Sequence, residues 1–208
     1  ALISGQLDLA TSIRPEALAG LRRRGFETFG DTTKQVIGLA FDVEGRKGSP
    51  IGDVRVREAI NLAINRRAIV DTITLNTAAM PSQGSFPGVF GYNPDLEPIP
   101  YQPERARQLL EAAGYGEGFE LTASLVVGTY ANDLEIYQMV QQDLAGIGVE
   151  LTIRQTVFSD WIRQYVYETW ETDMFSLAWN TSPYNDAQRP MEYFSCRKAR
   201  PFFCDEDL

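Results

Sequence analysis

The sequence predicts an α/β fold built on a mixed, mainly parallel sheet. Between residues 119 and 179 the hydrophobic pattern follows the order strand, helix, strand, helix, strand, which is typical of parallel strands joined by right-handed crossovers. The 208-residue chain is also 44% hydrophobic and 23% charged. These values are ordinary for a globular protein, and a chain of this length can bury a real core.

The first 43 residues predict a helix flanked by two strands. Residues 1–5 have the pattern of a last helical turn that ends at Gly5, and residues 6–13 alternate as a short strand. A proline near the first position and Gly25 after the last one predict a helix over 15–24. The apolar run at 36–41 predicts a strand within 34–43, long enough to be buried on both faces.

The middle of the chain predicts two or three helices and one long connection. Asp53 is expected to cap an amphipathic helix. Its apolar positions recur at spacings of three and four, at Val56, Ala59, Ile60, Ala63 and Ile64. A second helix, or a continuation of the first, is expected over 67–75, and a further helix runs from Pro103 to a stop at Gly114. Residues 77–103 form a proline-rich connection, a length that is usually functional or packs across another element.

The alternating region supplies the rest of the predicted sheet. Strands are expected at 119–127, 149–157 and 172–179, and helices at 132–145 and 159–168, the latter capped by Ser159. In such sheets ligands bind beyond the carboxyl ends of the strands. The residues that follow the last of these strands are therefore the first candidates for a binding site.

Composition excludes several classes of function. Lys and Arg number 19 against 28 Asp and Glu, for a formal charge of −9, which disfavours a nucleic-acid partner. Histidine is absent, so Ser-His-Asp triads and histidine-ligated metals are excluded, and we expect no metal and no cofactor. No segment approaches the run of about 20 apolar residues that a membrane span requires, so we expect a chain that does not span a membrane.

Two cysteines, Cys196 and Cys204, lie eight positions apart. This spacing fits a small disulfide loop better than a CxxC metal or redox motif. Pairing would indicate an oxidising compartment, whereas two unpaired thiols would fit the cytosol. The spacing alone leaves both open.

The candidate binding residues follow the last predicted strand: Trp179, Asn180, Thr181, Ser182 and Tyr184. Aromatic side chains at a strand exit can stack on a ligand, and Asn, Thr and Ser can orient its polar atoms without titrating. This set suits recognition better than catalysis, and no catalytic residue is assigned. The alternative for Trp179 is an indole packed in the core with its N–H bonded to a carbonyl.

Several motifs resemble one protein family. Residues 53–66 (DVRVREAINLAINR) closely resemble the signature helix of family 5 extracellular solute-binding proteins, the peptide, nickel and oligosaccharide receptors of bacterial ABC importers. Residues 101–115 (YQPERARQLLEAAGY) and 4–10 (SGQLDLA) resemble two further family segments in the same order. Residues 194–196 and 203–205 resemble a cysteine-bridged excursion found in many members, which implies a disulfide between Cys196 and Cys204.

The resemblance implies a two-lobed receptor of the periplasmic binding protein type II kind that closes on its ligand without performing a reaction. Family members carry additional chain at both ends, so we expect a fragment. Its expected organisation is hinge strands and part of the first lobe at 1–43, the second ligand-binding lobe at 44–180, and a segment leading back towards the first lobe at 181–208.

The implied function is the ligand-binding component of an ABC importer. The protein is expected to be a periplasmic or extracytoplasmic monomer that captures a small solute, peptide-like, sugar or other, and delivers it to an inner-membrane permease. Trp179 would stack on the solute, Asn180, Thr181 and Ser182 would orient it, and Tyr184 would close the rim. Peptide receptors of the family have an aspartate where this chain has Ser182, which disfavours an unmodified peptide because a hydroxyl cannot pair with its amino terminus.

Two alternatives remain at this level. One is a histidine-free glycosidase with paired carboxylates, which would need two acidic side chains facing each other across a cleft. The other is a receptor that senses a solute without transporting it.

Overall fold

The computed structural model describes residues 1–11, 13–30, 35–44, 48–167, 169–180, 185–197 and 201–206. Within these ranges the helices are α1 (Pro15–Arg23), α2 (Val54–Ala63), α3 (Arg66–Thr72), α4 (Pro103–Ala112), α5 (Asp133–Ala145), α6 (Phe158–Tyr167) and α7 (Gln188–Met191). The strands are β1 (Gln35–Phe41), β2 (Phe119–Val126), β3 (Val149–Thr156) and β4 (Met174–Asn180). Pro50–Gly52 and Glu192–Phe194 each form a short 3₁₀ turn.

The four strands form one mixed sheet in the order β1-β4-β2-β3. Strand β2 runs parallel to both β3 and β4, whereas β1 is antiparallel to β4. Gln35, the first residue of β1, lies opposite Asn180, the last residue of β4. The predicted α/β fold with a mixed, mainly parallel sheet is confirmed.

Helices α2, α4 and α5 cover one face of the sheet and bury what we call the aliphatic core. Strand residues i, i+2 and i+4 point to the same face, and Leu121, Ala123 and Leu125 of β2 all belong to this core. Its other large, fully buried members are Ile51, Val56, Ile60, Leu110, Leu144, Val149, Leu151 and Met174.

The opposite face carries an aromatic cluster beneath α6. The cluster consists of the buried residues Ala40, Trp170, Phe175, Leu177 and Phe202, with Trp161 and Tyr165 of α6 packed against them. Phe175 alternates along β4 with Met174 of the aliphatic core, so the two sets occupy opposite faces.

The disulfide-bonded part of the chain contributes to this cluster. The Sγ atoms of Cys196 and Cys204 are bonded to each other, and Phe202, between them in sequence, is buried with its ring centroid 4.8 Å from that of Phe175. The guanidinium carbon of Arg57 lies 5.1 Å from the centroid of the Phe203 ring, within the range of a cation–π contact.

The helix starts show one correct and one wrong cap prediction. Asp53 Oδ1 accepts a 2.8 Å hydrogen bond from the backbone N–H of Arg55, which confirms Asp53 as the cap of α2. The Arg55 guanidinium hydrogen-bonds this carboxylate and lowers its pKa. Ser159 is not a cap, because α6 already begins at Phe158 and the carbonyl of Val157 accepts the first helical bond, from Trp161 N–H.

Two strand expectations are also wrong in the described residues. Residues 6–11 and 13 belong to no strand, and Leu7 and Leu9 are exposed. Alternation is a local pattern, whereas a strand needs a partner, and the described sheet pairs β1 with β4 alone. The expectation that β1 is buried on both faces fails because β1 is an edge strand and mostly half-buried.

The proline-rich connection between α3 and α4 is held by its own hydrogen bonds. The Gln83 side chain donates to Asn93 O and accepts from Asn93 N–H. Phe90 forms an isolated parallel bridge to Asp186, and Val89 is buried. No helix in the described part of the chain is both long enough and apolar enough to cross a membrane.

Candidate ligand-binding site

A cavity of about 290 Å³ lies at the carboxyl ends of β2 and β4. Its walls come from both strands, from the loop that follows β2, from α5 and from the first turn of α6. The described residues that line it are Val126, Thr129, Tyr130, Tyr137, Phe158, Trp161, Ser176, Leu177 and Ala178. This is the edge at which ligands bind in open α/β sheets.

Ser176 of β4 organises the floor of the cavity. Its Oγ accepts a 2.9 Å hydrogen bond from the backbone N–H of Val126, which links β4 to the end of β2. Its carbonyl accepts a 2.9 Å hydrogen bond from Trp161 Nε1. The indole N–H is thereby satisfied, and the plane of Trp161 is set against the strand.

The loop after β2 is fixed by a buried carboxylate. Asp133, at the start of α5, is 3% exposed. Its two oxygens accept hydrogen bonds from the backbone N–H groups of Gly128, Thr129, Tyr130 and Leu134 at 2.8 to 3.0 Å. These four N–H groups stabilise the negative charge of the Asp133 carboxylate. The same hydrogen bonds hold the loop that carries Thr129 and Tyr130 in one position.

Two tyrosines place hydroxyl groups in this region. Tyr130 OH accepts a 2.6 Å hydrogen bond from Gln35 Nε2 of β1. Burial raises the pKa of Tyr130, while the Gln35 bond lowers it. Burial also raises the pKa of Tyr137, with Asp133 and Tyr130 adding to the rise and a hydrogen bond with Ser176 opposing it. Both phenols are therefore neutral hydrogen-bonding groups at neutral pH.

The outer wall is a ladder of rings on α6. The Phe158 and Trp161 rings are nearly parallel, 8° apart, with centroids separated by 6.0 Å. Trp161 in turn stacks on Tyr165 at 5.0 Å and meets Trp170 edge-on at 5.8 Å. Phe158 is 60% exposed, so the ladder ends in a ring that a ligand can reach.

None of the nine described lining residues carries a charge. The glycosidase alternative requires two facing carboxyl groups, and the described wall supplies none. Asp173 directly precedes β4 and accepts hydrogen bonds from Thr122 and Ser49. In the described ranges, His, Cys, Asp and Glu form no group of three that could hold a metal ion.

The structure places two of the five residues that the sequence singled out. Trp179 and Asn180 end β4, directly after the lining residue Ala178, with their backbones opposite Val36 and Gln35. Asn180 is exposed. Thr181, Ser182 and Tyr184 lie outside the described residues, and so does the Trp179 side chain.

Sequence reasoning missed most of the cavity wall. Tyr130 follows β2 and Phe158 follows β3, just as Trp179 lies at the end of β4. Ligands bind at the carboxyl ends of parallel strands, and this rule applies to β2, β3 and β4 alike. Applying it to β2 and β3 as well would have identified Tyr130 and Phe158. The spacing of Tyr137, Val140 and Leu144 places Tyr137 on the apolar face of α5, which agrees with its burial. The Trp161 to Ser176 bond depends on tertiary packing and leaves no local signal.

The described fold is an α/β unit with a mixed sheet and, at its strand ends, a cavity whose described lining is ring-rich and uncharged. The family model described as bacterial extracellular solute-binding proteins, family 5 Middle, matches residues 1–200. The chain belongs to this family.

Two curated relatives are similar over about half of the chain. Glutathione-binding protein GsiB of Salmonella typhimurium is 38% identical over 104 residues, 50% of this chain and 20% of that protein. Heme-binding protein A of Haemophilus influenzae is 30% identical over 115 residues, 54% of this chain and 20% of that protein. The matched part of the chain thus spans about a fifth of these relatives.

Among solved structures, the murein tripeptide binding protein MppA of Escherichia coli superposes with a TM-score of 0.81 at 20% sequence identity. The superposition covers 99% of this chain and 41% of that one. At this identity the likeness concerns the fold.

Proposed function

We propose that this chain forms the second ligand-binding lobe, with its hinge, of a solute-binding protein that serves an ABC importer. The observation that carries the proposal is the uncharged, ring-lined cavity at the carboxyl ends of β2 and β4, in a chain of family 5. Such a cavity fits noncovalent capture, and the protein performs no reaction on its ligand.

The ligand is a small solute. Relatives that carry the names of glutathione and heme, and a structural neighbour named for murein tripeptide, support a solute of peptide or comparable size. Periplasmic or extracytoplasmic location, a monomeric state and delivery to an inner-membrane permease follow from the same assignment.

The domain organisation is part of the proposal. Residues 1–43 form hinge strands and part of the first lobe, 44–180 the second lobe, and 181–208 lead back to the first. The pairing of Gln35 with Asn180 supports this division, because it sets the entry into β1 beside the exit from β4. Ligand binding would then favour the closed form by bridging both lobes.

At the site, Trp179 stacks on the solute, Asn180, Thr181 and Ser182 orient its polar atoms, and Tyr184 closes the rim. The position of Trp179, next to the lining residue Ala178 at the carboxyl end of β4, supports this arrangement.

The test is a thermal-shift screen of the complete two-lobed protein against peptides, sugars, opines and metal chelates. A ligand that binds only the native state raises the melting temperature, and we expect a rise with members of one solute class. Absence of a rise with every class, or turnover of any of these compounds, would contradict the proposal.

Replacing Trp179 tests the site itself. Trp179→Ala in the complete protein should weaken the affinity for the solute found by the screen by about tenfold or more, since a large stacking surface is lost. Phe29→Ala is the control, because Phe29 is exposed and does not line the cavity. Equal affinities of the two variants, measured by titration calorimetry, would remove Trp179 from the site.

A further inference from the structure

We propose that the cavity beside β4 receives an uncharged, aromatic-sized group of the solute, such as an indole or phenyl ring. This inference rests on the proposed function and specifies the chemistry that the described wall can accept. Three observations support it: the volume of the cavity, the apolar and hydrogen-bonded side chains of its described wall, and the lack of a charged residue in that wall.

Volume sets the size of the group. An apolar cavity of about 150 Å³ is enough to bind benzene. The cavity here measures about 290 Å³, so it has room for a bicyclic ring of indole size together with part of its linker.

The walls favour a planar group over a sugar. Seven of the nine lining residues present aromatic or aliphatic surface, and Thr129 and Ser176 alone among them have aliphatic hydroxyls. Phe158 ends the α6 ladder with an exposed ring, to which a planar ligand can add in the offset geometry that aromatic pairs prefer. A hexose carries hydroxyl groups around its ring, and this wall has few partners for them.

Several polar groups in the wall are already engaged. Ser176 Oγ accepts from Val126 N–H, and its carbonyl accepts from Trp161 Nε1. Tyr130 OH accepts from Gln35 Nε2, which leaves its own proton to donate to one ligand acceptor. Apart from the Thr129 hydroxyl, the described wall therefore offers one directional hydrogen bond and otherwise apolar contact.

The described wall supplies no counter-ion for an ionised group. The described lining residues are uncharged, and the Asp133 carboxylate beneath the loop is saturated by four backbone N–H groups. A carboxylate or ammonium group entering the cavity would lose its hydration without gaining a counter-ion.

Probes matched in shape and different in charge test the inference. In titration calorimetry of the complete protein, indole should bind, while indole-3-carboxylate should bind at least about tenfold more weakly and glucose more weakly still. Equal or tighter binding of indole-3-carboxylate or glucose would overturn the inference.

Two variants locate the bound probe. Phe158→Ala, which changes an exposed ring and so should leave folding intact, is expected to weaken indole binding about fivefold. Ala178→Met, which fills the cavity, should weaken it further. Phe29→Ala is the matched control with unchanged affinity. Indole binding that is identical in Phe158→Ala and in Phe29→Ala would place the probe elsewhere and overturn the inference.

The outcome also separates this inference from the proposed function. If a solute from the thermal-shift panel binds but indole does not, the aromatic assignment is wrong and the transport assignment stands. If neither panel solutes nor indole bind, both are overturned.

Discussion

The two faces of the sheet are closed by different kinds of side chain. On the face covered by α2, α4 and α5, the aliphatic core interlocks branched side chains, and the fully buried set includes Ile60, Leu110 and Leu144. On the other face, α6 and the disulfide-bonded segment close over flat rings. Trp170 and Phe175 stack with centroids 4.0 Å apart and planes 5° apart, and Phe202 meets Phe175 edge-on.

The two faces contribute differently to the candidate site. Trp161 and Leu177 of its wall belong to the aromatic cluster, whereas Tyr137 of its wall belongs to the aliphatic core. Interlocked aliphatic side chains fill space in every direction and leave little of their surface to a ligand. In a row of stacked rings, the rings at one end can be buried while the ring at the other end stays exposed to a ligand. The ring contacts run from Phe202 through Phe175, Trp170 and Trp161 to the exposed Phe158 at the cavity. Ring contacts on the aromatic face thus connect the buried Phe202, next to the disulfide, with the candidate site.

The largest expected effect comes from removing one fully buried side chain on each face. Leu110→Ala should lower the free energy of unfolding by about 2–5 kcal/mol and Phe175→Ala by about 3–5 kcal/mol, through lost burial and the cavity left behind. Denaturant unfolding measures both. Phe175→Ala should also change the near-ultraviolet circular dichroism more than Leu110→Ala does, because Trp161 and Trp170 belong to the aromatic cluster.

If Leu110→Ala changes the near-ultraviolet spectrum as much as Phe175→Ala does, the two faces do not pack independently. The two faces would then form a single packing unit. A conservative variant, Phe175→Leu, keeps most of the apolar volume and should restore part of the stability while leaving the altered spectrum.

A smaller effect is expected from the disulfide. Replacing both Cys196 and Cys204 with serine should lower the free energy of unfolding by roughly 2.5 kcal/mol, because a short loop in the unfolded chain is no longer closed. The near-ultraviolet spectrum should change as well, since Phe202 lies between the two cysteines and packs on Phe175.

Treatment with a thiol reductant supplies the control for this prediction. It should reproduce the loss of stability in the unmodified chain and leave the double serine variant unaffected. A double variant with an unchanged spectrum would show that Phe202 is held by ring packing alone, and would make the aromatic face as independent of cross-links as the aliphatic one.

The sequence predicts those elements whose signals are local. The Asp53 cap and the three-and-four spacing of apolar residues locate α2, and the alternation of strands and helices after Phe119 gives the parallel part of the sheet. Strand pairing is not local. Residues 6–11 alternate like a strand without finding a partner in the described sheet, and the apolar run of β1 forms a half-buried edge rather than a central strand.

The sequence predicts the location of the site but not most of the residues that form its wall. The carboxyl ends of parallel strands identify the region, and both Trp179 and the cavity lie there. The wall residues depend on contacts between distant parts of the chain, such as the hydrogen bond from Gln35 to Tyr130, which are 95 residues apart in sequence. No spacing rule within the sequence brings these two side chains together.

The smallest expected effect concerns that same hydrogen bond, which lies outside both packed faces and ties the edge strand β1 to the cavity loop. Gln35→Leu and Tyr130→Phe should each lower the free energy of unfolding by about 1 kcal/mol, and the double variant should cost little more than either. Denaturant unfolding of the four proteins gives the coupling. In Gln35→Leu the pKa of Tyr130 should rise further, because the bond that lowers it is gone.

Additive losses in the double variant would mean that Gln35 and Tyr130 contribute separately and that the loop is positioned by Asp133 alone. The affinity for solute then shows whether the Gln35–Tyr130 hydrogen bond or the Asp133 carboxylate positions the loop. If the bond positions Tyr130, Gln35→Leu weakens binding while Tyr130→Phe in the same background adds nothing more. If Asp133 suffices, Gln35→Leu binds normally, and the cavity is sustained by its own loop and the aromatic face without help from the strand at which the chain enters the sheet.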